Sequence, residues 1–260
     1  MSKIINPQLA KLDITKMSQS EIEQVLQQSQ ERFRTMVQGV ARGKWNLVIM
    51  GEPGTGKTQL MMDCLGRDTM AYCKGVPSAV GTYKFLYRNR QRPVAVLDDC
   101  DHIYNCTEGT EILKAATESH KSKLISWQKQ NYTFEKESVP LEFRYEGRMI
   151  LISNKNLRRD TGKITAAQRL MAPVLDRCQV LLSGTPDVRW DIALIDWMAR
   201  QGKIVCWRNT AKNIQQDVLK FLRHNYQEFR TISFRTVLKI TELREHEPQH
   251  WQSLALESLS

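Results

Sequence analysis

The stretch Asn46-Leu47-Val48-Ile49-Met50-Gly51-Glu52-Pro53-Gly54-Thr55-Gly56-Lys57-Thr58 decides how the rest of the chain is read. Its first five residues form a short apolar run suited to a buried parallel strand. The next eight fit the pattern G-x-x-x-x-G-K-[ST] in full. Glycines let main-chain N–H groups turn inward around a phosphate, and the start of the following helix adds positive potential there. In that arrangement Lys57 reaches the β- and γ-phosphates of a nucleotide, and the hydroxyl of Thr58 is placed for a magnesium ion. Gln59-Leu60-Met61-Met62-Asp63-Cys64-Leu65 continues as the helix that the pattern requires. A chance glycine turn has no reason to carry the strand, the lysine and the threonine together, so ATP and Mg2+ are the expected ligands.

Working outward, Val94-Ala95-Val96-Leu97-Asp98-Asp99 is a second apolar run that ends in carboxylates. A buried strand delivering a carboxylate to its C-terminal end is how such folds reach the metal. Asp98 is therefore the expected metal-side group. Asp99 is the candidate for polarising an attacking water, with Asp101 as the fallback. Further short apolar runs stand at Met70-Ala71-Tyr72-Cys73, Met149-Ile150-Leu151-Ile152 and Val180-Leu181-Leu182. Helical patterns separate most of them, which predicts a three-layer α/β fold around a parallel sheet. Residues 18–41 read as a polar helix capped by Ser18 or Ser20, with Ile22, Val25, Leu26, Phe33 and Val37 as a partial apolar stripe. Past Pro186 the character changes, with helical patterns over 190–200, 213–225 and 236–245. These divisions predict an N-terminal helical segment at 1–42, a nucleotide-binding core at 43–187 and a small α-helical lid at 188–260.

The loop at 51–58, the strand ending in Asp98-Asp99 and the later run ending Ile152-Ser153-Asn154 occur in the order and spacing of AAA+ ATPases. The chain resembles that family over residues 40–245, and its compact phage- and plasmid-encoded members in particular. The resemblance implies that Asn154 is the polar sensor residue that helps orient the lytic water. It implies that Arg177, in Ala172-Pro173-Val174-Leu175-Asp176-Arg177, is an arginine finger reaching the γ-phosphate of a neighbouring subunit, with Arg169 and the Arg158-Arg159 pair as competitors. Arg suits that task because its planar fork stabilises transition-state charge. Arg235, in Ile232-Ser233-Phe234-Arg235-Thr236-Val237, matches the family's second sensor, which folds back onto the nucleotide of its own subunit. Many relatives carry Glu where Asp99 stands, and aspartate is one methylene shorter. The resemblance also implies a homo-oligomer, a hexameric ring, with ATP hydrolysed between subunits.

In such rings two loops face the central pore. The first corresponds to Cys73-Lys74-Gly75-Val76-Pro77-Ser78, where Lys74 suits a phosphate backbone and is otherwise a solvated loop lysine. The second corresponds to residues 124–145, whose alternation predicts a hairpin and which brings Lys129 and Lys136 as further substrate candidates. It is similar in placement to the pre-sensor hairpin of superfamily 3 helicases, which share the Asp-Asp motif and generally lack a lid. Trp127, Tyr132 and Phe134 either stack on bases or pack the hairpin onto the sheet. Tyr83, Leu86 and Tyr87 share one helical face and are expected in the core.

Bulk properties bear on partners more than on fold. Lys and Arg number 38 against 28 acidic residues, a net charge of +10, which favours polyanionic partners, nucleic acid first. Six cysteines are scattered without a C-x-x-C pair or a histidine at ligand spacing, so reduced, mostly buried thiols are expected rather than a disulfide frame or zinc site. No apolar block marks the N-terminus and no apolar run approaches membrane-spanning length, which makes a cytoplasmic protein without a membrane partner the expectation. Three functions stay open: a motor or loader on nucleic acid, a remodeller of a protein partner, and a nucleotide-switched scaffold.

Overall fold

Helix α1 (Gln19–Ala41) begins at a capping box: Ser18 Oγ accepts from the Glu21 amide while the Glu21 carboxylate accepts from the Ser18 amide. It leads into β1 (Asn46–Met50), α2 (Lys57–Cys64), β2 (Met70–Lys74), α3 (Ala79–Arg88), β3 (Val94–Asp98) and α4 (Thr107–Ala116). There follow β4 (Lys123–Ser126), α5 (Tyr132–Lys136), β5 (Glu142–Tyr145), β6 (Arg148–Ser153), α6 (Ala166–Asp176) and β7 (Cys178–Leu182). Four helices close the chain: α7 (Val188–Arg200), α8 (Lys212–Asn225), α9 (Phe234–His246) and α10 (Trp251–Leu259). This computed structural model describes residues 4–129, 132–158, 163–229 and 231–259. Arg159, a competitor for the finger role, and Gln130 and Asn131 of the expected hairpin lie outside them.

Five strands form one parallel sheet in the order β2-β3-β6-β1-β7. Successive side chains of a strand point to opposite faces, and here both faces are covered. Leu47, Ile49, Val94, Val96, Ile150 and Ile152 pack with Phe33, Val37 and Val40 of α1 and Met61 of α2. Val48, Met50, Ala95, Leu97, Met149 and Leu151 pack on the other face with Tyr83 and Leu86 of α3, Leu113 of α4, and Met171 and Val174 of α6. This two-sided burial explains why the runs are continuously apolar rather than alternating. Each Val, Leu, Ile, Phe or Met among them contributes about 1.5–3 kcal/mol when taken fully out of water.

The architecture is the expected three-layer P-loop core followed by a helical lid, with three departures. Helix α1 is part of the helical layer on the sheet rather than a segment apart from it: Phe33 and Val37 of its apolar stripe pack against β1 and β6, while Ile22, Val25 and Leu26 pack with Leu9 and with Trp190 and Trp197 of α7. The chain before it is also tied in: Ile4 is buried in the main core, and the Asn6 amide donates to Gly184 O at 2.7 Å. The lid has a core of its own, including Phe221, Leu222, Val237, Ile240 and Trp251, and that last tryptophan belongs to α10, a helix that the apolar pattern did not predict. Finally, β4 and β5 pair antiparallel as a hairpin requires, yet the chain between them turns into α5. Trp127 and Phe134 are buried there beside Tyr83, with ring centroids 5.8 and 5.0 Å from it, so packing accounts for both. Tyr132 is 76% exposed.

All six cysteines are free thiols; Cys100 is buried and the other five are half-buried. Among the described residues no helix is long and apolar enough to cross a membrane, and no cluster of His, Cys, Asp and Glu forms a metal centre.

Candidate nucleotide site

Strands β3, β6 and β1 lie side by side, so the chain segments leaving their C-terminal ends meet at one edge of the sheet. In open α/β sheets that edge is where ligands bind. From β1 comes the loop at 51–58. Gly54 and Gly56 both take φ of +79°, a conformation a side chain resists, and the lid presses on them: a Cβ at Gly54 would lie 2.8 Å from Ser233 Oγ and one at Gly56 3.3 Å from the Phe234 ring. The Phe234 amide also donates to Gly54 O at 3.1 Å. These contacts bring the N-terminus of α9, and with it Arg235, to the loop.

Lys57 is the first residue of α2 and is 5% exposed. Its ammonium donates to Gly51 O, Glu52 O and Asn154 Oδ1, each at 2.8 Å. Asn154 in turn donates through Nδ2 to Asp99 Oδ1 at 2.6 Å. Thr58 Oγ1 lies 3.1 and 3.0 Å from the two oxygens of Asp98. The expected residues of the loop, the β3 tip and the β6 tip thus form two neighbouring hydrogen-bonded groups, Lys57–Asn154–Asp99 and Thr58–Asp98, joined along the chain at 57–58 and 98–99. Burial lowers Lys57 to about 8, against the opposing pull of Asp99, Asp98 and Glu52. Burial, reinforced by the neighbouring charge of Asp98, raises Asp99 above the usual carboxylate range. Asp99 also holds φ at +53°, a region that aspartate tolerates better than most residues, and such strain gathers at functional sites.

The two groups open on a cavity of about 960 Å³ lined by loop residues 54–58, Asp99, Asn154 and Arg235. Its donors suit a nucleotide with a hard cation: hydroxyl and carboxylate oxygens match the preference of Mg2+, and Lys57 and Arg235 offer positive charge to phosphates. Arg158 lines the same cavity. The cavity is walled as well by Asn6, Leu9, Leu194 and Met198, residues that carried no motif signal.

The other candidates stand apart from this cavity, Lys74 excepted. Asp101 accepts from Ser153 Oγ at 2.8 Å and pairs with Lys155, so it is engaged behind the tip of β6. Arg177 caps α6, is exposed, and donates to Pro173 O at 2.6 Å; it is not among the residues that line its own chain's cavity. Lys74 ends β2 with Nζ 3.8 Å from Asp98 Oδ2 and lines the nucleotide cavity, rather than standing out from the following loop, where Val76 is 79% exposed. Lys129 is ion-paired with Glu108 at 2.7 Å, and Lys136 is exposed. One participant went unread in the sequence: Tyr72, whose hydroxyl donates to Asp98 Oδ2 at 2.5 Å. Burial and this hydrogen bond push its phenol well above the ordinary value, so it stays protonated and able to donate.

No family model matches the chain. It is 21% identical over 228 residues to an uncharacterized 36.7 kDa protein from the nrdC-mobD intergenic region of Enterobacteria phage T4, spanning 85% of this chain and 70% of that one. The RuvB Holliday junction branch migration motor of Thermotoga maritima overlaps with a TM-score of 0.46 at 13% identity, over 96% of this chain and 72% of its own. Domain III of the Thermotoga maritima replication initiation protein DnaA overlaps with a TM-score of 0.47 at 13% identity, over 87% and 90%. Overlaps this partial leave the fold to be read from the chain's own strand order and lid.

Proposed function

We propose that this chain is an ATP hydrolase of the AAA+ type, working as a homo-oligomer that moves or loads nucleic acid in the replication of a phage or other mobile genome. The observation that carries the nucleotide part is the convergence of two hydrogen-bonded groups, Lys57–Asn154–Asp99 and Thr58–Asp98, on one cavity that Lys57, Thr58, Asp99 and Asn154 line. Mg2+, when bound, would supply charge neutralisation to the phosphates. Lys57 exchanges its carbonyl partners for phosphate oxygens. Thr58 and Asp98 hold the metal side, Asp99 takes the proton of the attacking water, and Asn154 orients both. Arg235 reaches the phosphates within the same chain. Arg177 serves the neighbouring subunit, since it is exposed and turned out of its own site. The source of the T4 relative agrees with a phage setting.

The nucleic-acid part rests on the net charge of +10 and on Lys136. A second reading, a remodeller of a protein partner, draws support from a different observation: the loop after β2 presents Val76 rather than a lysine, and an apolar tip grips polypeptide better than phosphate. An ATPase assay separates the two. Single- or double-stranded DNA should raise the hydrolysis rate, and the rise should fade as salt increases. If neither DNA nor RNA changes the rate at low salt while an unfolded protein does, the remodeller replaces the nucleic-acid motor.

A further inference from the structure

Asp98 has no exposed surface, and a buried carboxylate needs both oxygens satisfied. Thr58 cannot do this alone. Its hydroxyl sits almost equally far from the two oxygens, at 3.1 and 3.0 Å, but carries one proton. The partner that breaks the tie comes from the adjoining strand. In the β2–β3 register Lys74 lies opposite Asp98 and Tyr72 opposite Val96, so Tyr72 and Lys74 share a face and the longer tyrosine ring runs up toward the carboxylate. Its hydroxyl ends 2.5 Å from Oδ2. Lys74 stands 3.8 Å from the same oxygen, near enough for charge but beyond hydrogen-bond distance.

We propose that Tyr72 is a positioning residue for the metal: by donating to Oδ2 it fixes the rotation of the Asp98 carboxylate and leaves Oδ1, the oxygen that Tyr72 does not engage, to Mg2+ or a water of its shell. The inference rests on the nucleotide reading above. It follows the general behaviour of outer-shell hydrogen bonds, which orient a ligating group and, when removed, lower metal affinity about 10–100-fold. A phenol suits the position because its ring adds to the apolar layer beneath while its tip is polar.

The test is binding of a fluorescent, non-hydrolysable ATP analogue to the full chain, in EDTA and across a Mg2+ titration. Tyr72→Phe keeps the ring and removes the donor. Tyr83→Phe, which loses a hydroxyl bonded to Pro140 O away from the site, is the control. For Tyr72→Phe the affinity in EDTA should match the wild type, the melting curve of the nucleotide-free protein should stay cooperative, and the Mg2+ midpoint should rise about tenfold; Tyr83→Phe should leave that midpoint in place. An unchanged or lowered midpoint in Tyr72→Phe overturns the assignment, as does an equal loss of affinity with and without Mg2+. If the wild type binds no analogue under any condition, the nucleotide reading itself fails and takes this assignment with it.

Discussion

Aspartate at position 99 holds a left-handed backbone, accepts a hydrogen bond from Asn154 and has its acidity weakened by burial beside Asp98. Asparagine tolerates the same backbone and keeps an oxygen for Asn154, but it cannot accept a proton from water. Asp99→Asn should therefore bind nucleotide within a few-fold of wild type while turnover falls by about 10²–10⁴; equal turnover would assign the base elsewhere. Lys57→Ala, by contrast, should remove detectable nucleotide binding. A third residue gives a pH signature away from the site. Lys123 is 1% exposed, donates to Gly147 O and is lowered by burial from 10.5 to about 8. Between those two values the unfolded chain holds the proton that the native state has released, so stability rises with pH there by up to about 1.4 kcal/mol per unit. Urea melts should show the wild type gaining on Lys123→Met as pH climbs through that window; a constant difference would contradict the shift. Legibility at this scale followed locality. Residues 51–58 announce themselves because the phosphate cradle is built from consecutive residues. Tyr72 does not, because its role depends on the register of β2 against β3, which no local pattern specifies.

At the scale of elements, the three central strands β3, β6 and β1 were legible because burial on both faces leaves an uninterrupted apolar run in each, while the edge strands β2 and β7 kept a shorter apolar run beside exposed Lys74 and Gln179. The hairpin was half legible. Alternation holds in β4 and β5, where one face is buried and the other exposed, but between them Phe134 reaches the core from a short helix, satisfying the same aromatic with a different backbone. Helix α10 was missed because its nine residues are too short a window for helical periodicity to stand out, although Leu256 and Leu259 join Trp251 and Ala255 in the lid core. The aromatic cluster of Tyr83, Trp127, Phe134 and Phe143 makes the hairpin a structural element. Phe134→Ala should cost about 3–5 kcal/mol in a denaturant melt, whereas Tyr132→Ala, on the same short helix but exposed, should stay within about 0.5 kcal/mol. Similar small losses for both would mean the cluster contributes little.

For the whole molecule, hydrolysis between subunits, as proposed, needs more than one copy. Arg177 is exposed, caps α6 and lies off its own cavity, which is where a residue must stand to reach a neighbour's phosphates. Arg177→Ala should bind nucleotide normally and fail to turn over, and mixing it with Lys57→Ala should restore part of the activity at interfaces that pair an intact loop with an intact arginine. Additive loss without rescue would place the arginine in cis. Beneath all of these stands the claim that the loop at 51–58 holds a triphosphate with its metal. Titration calorimetry with a Mg-bound, non-hydrolysable ATP analogue tests it most directly: wild type should give a saturable heat at one site per chain that Lys57→Ala lacks. No heat from the folded wild type, or the same heat from both, would contradict it.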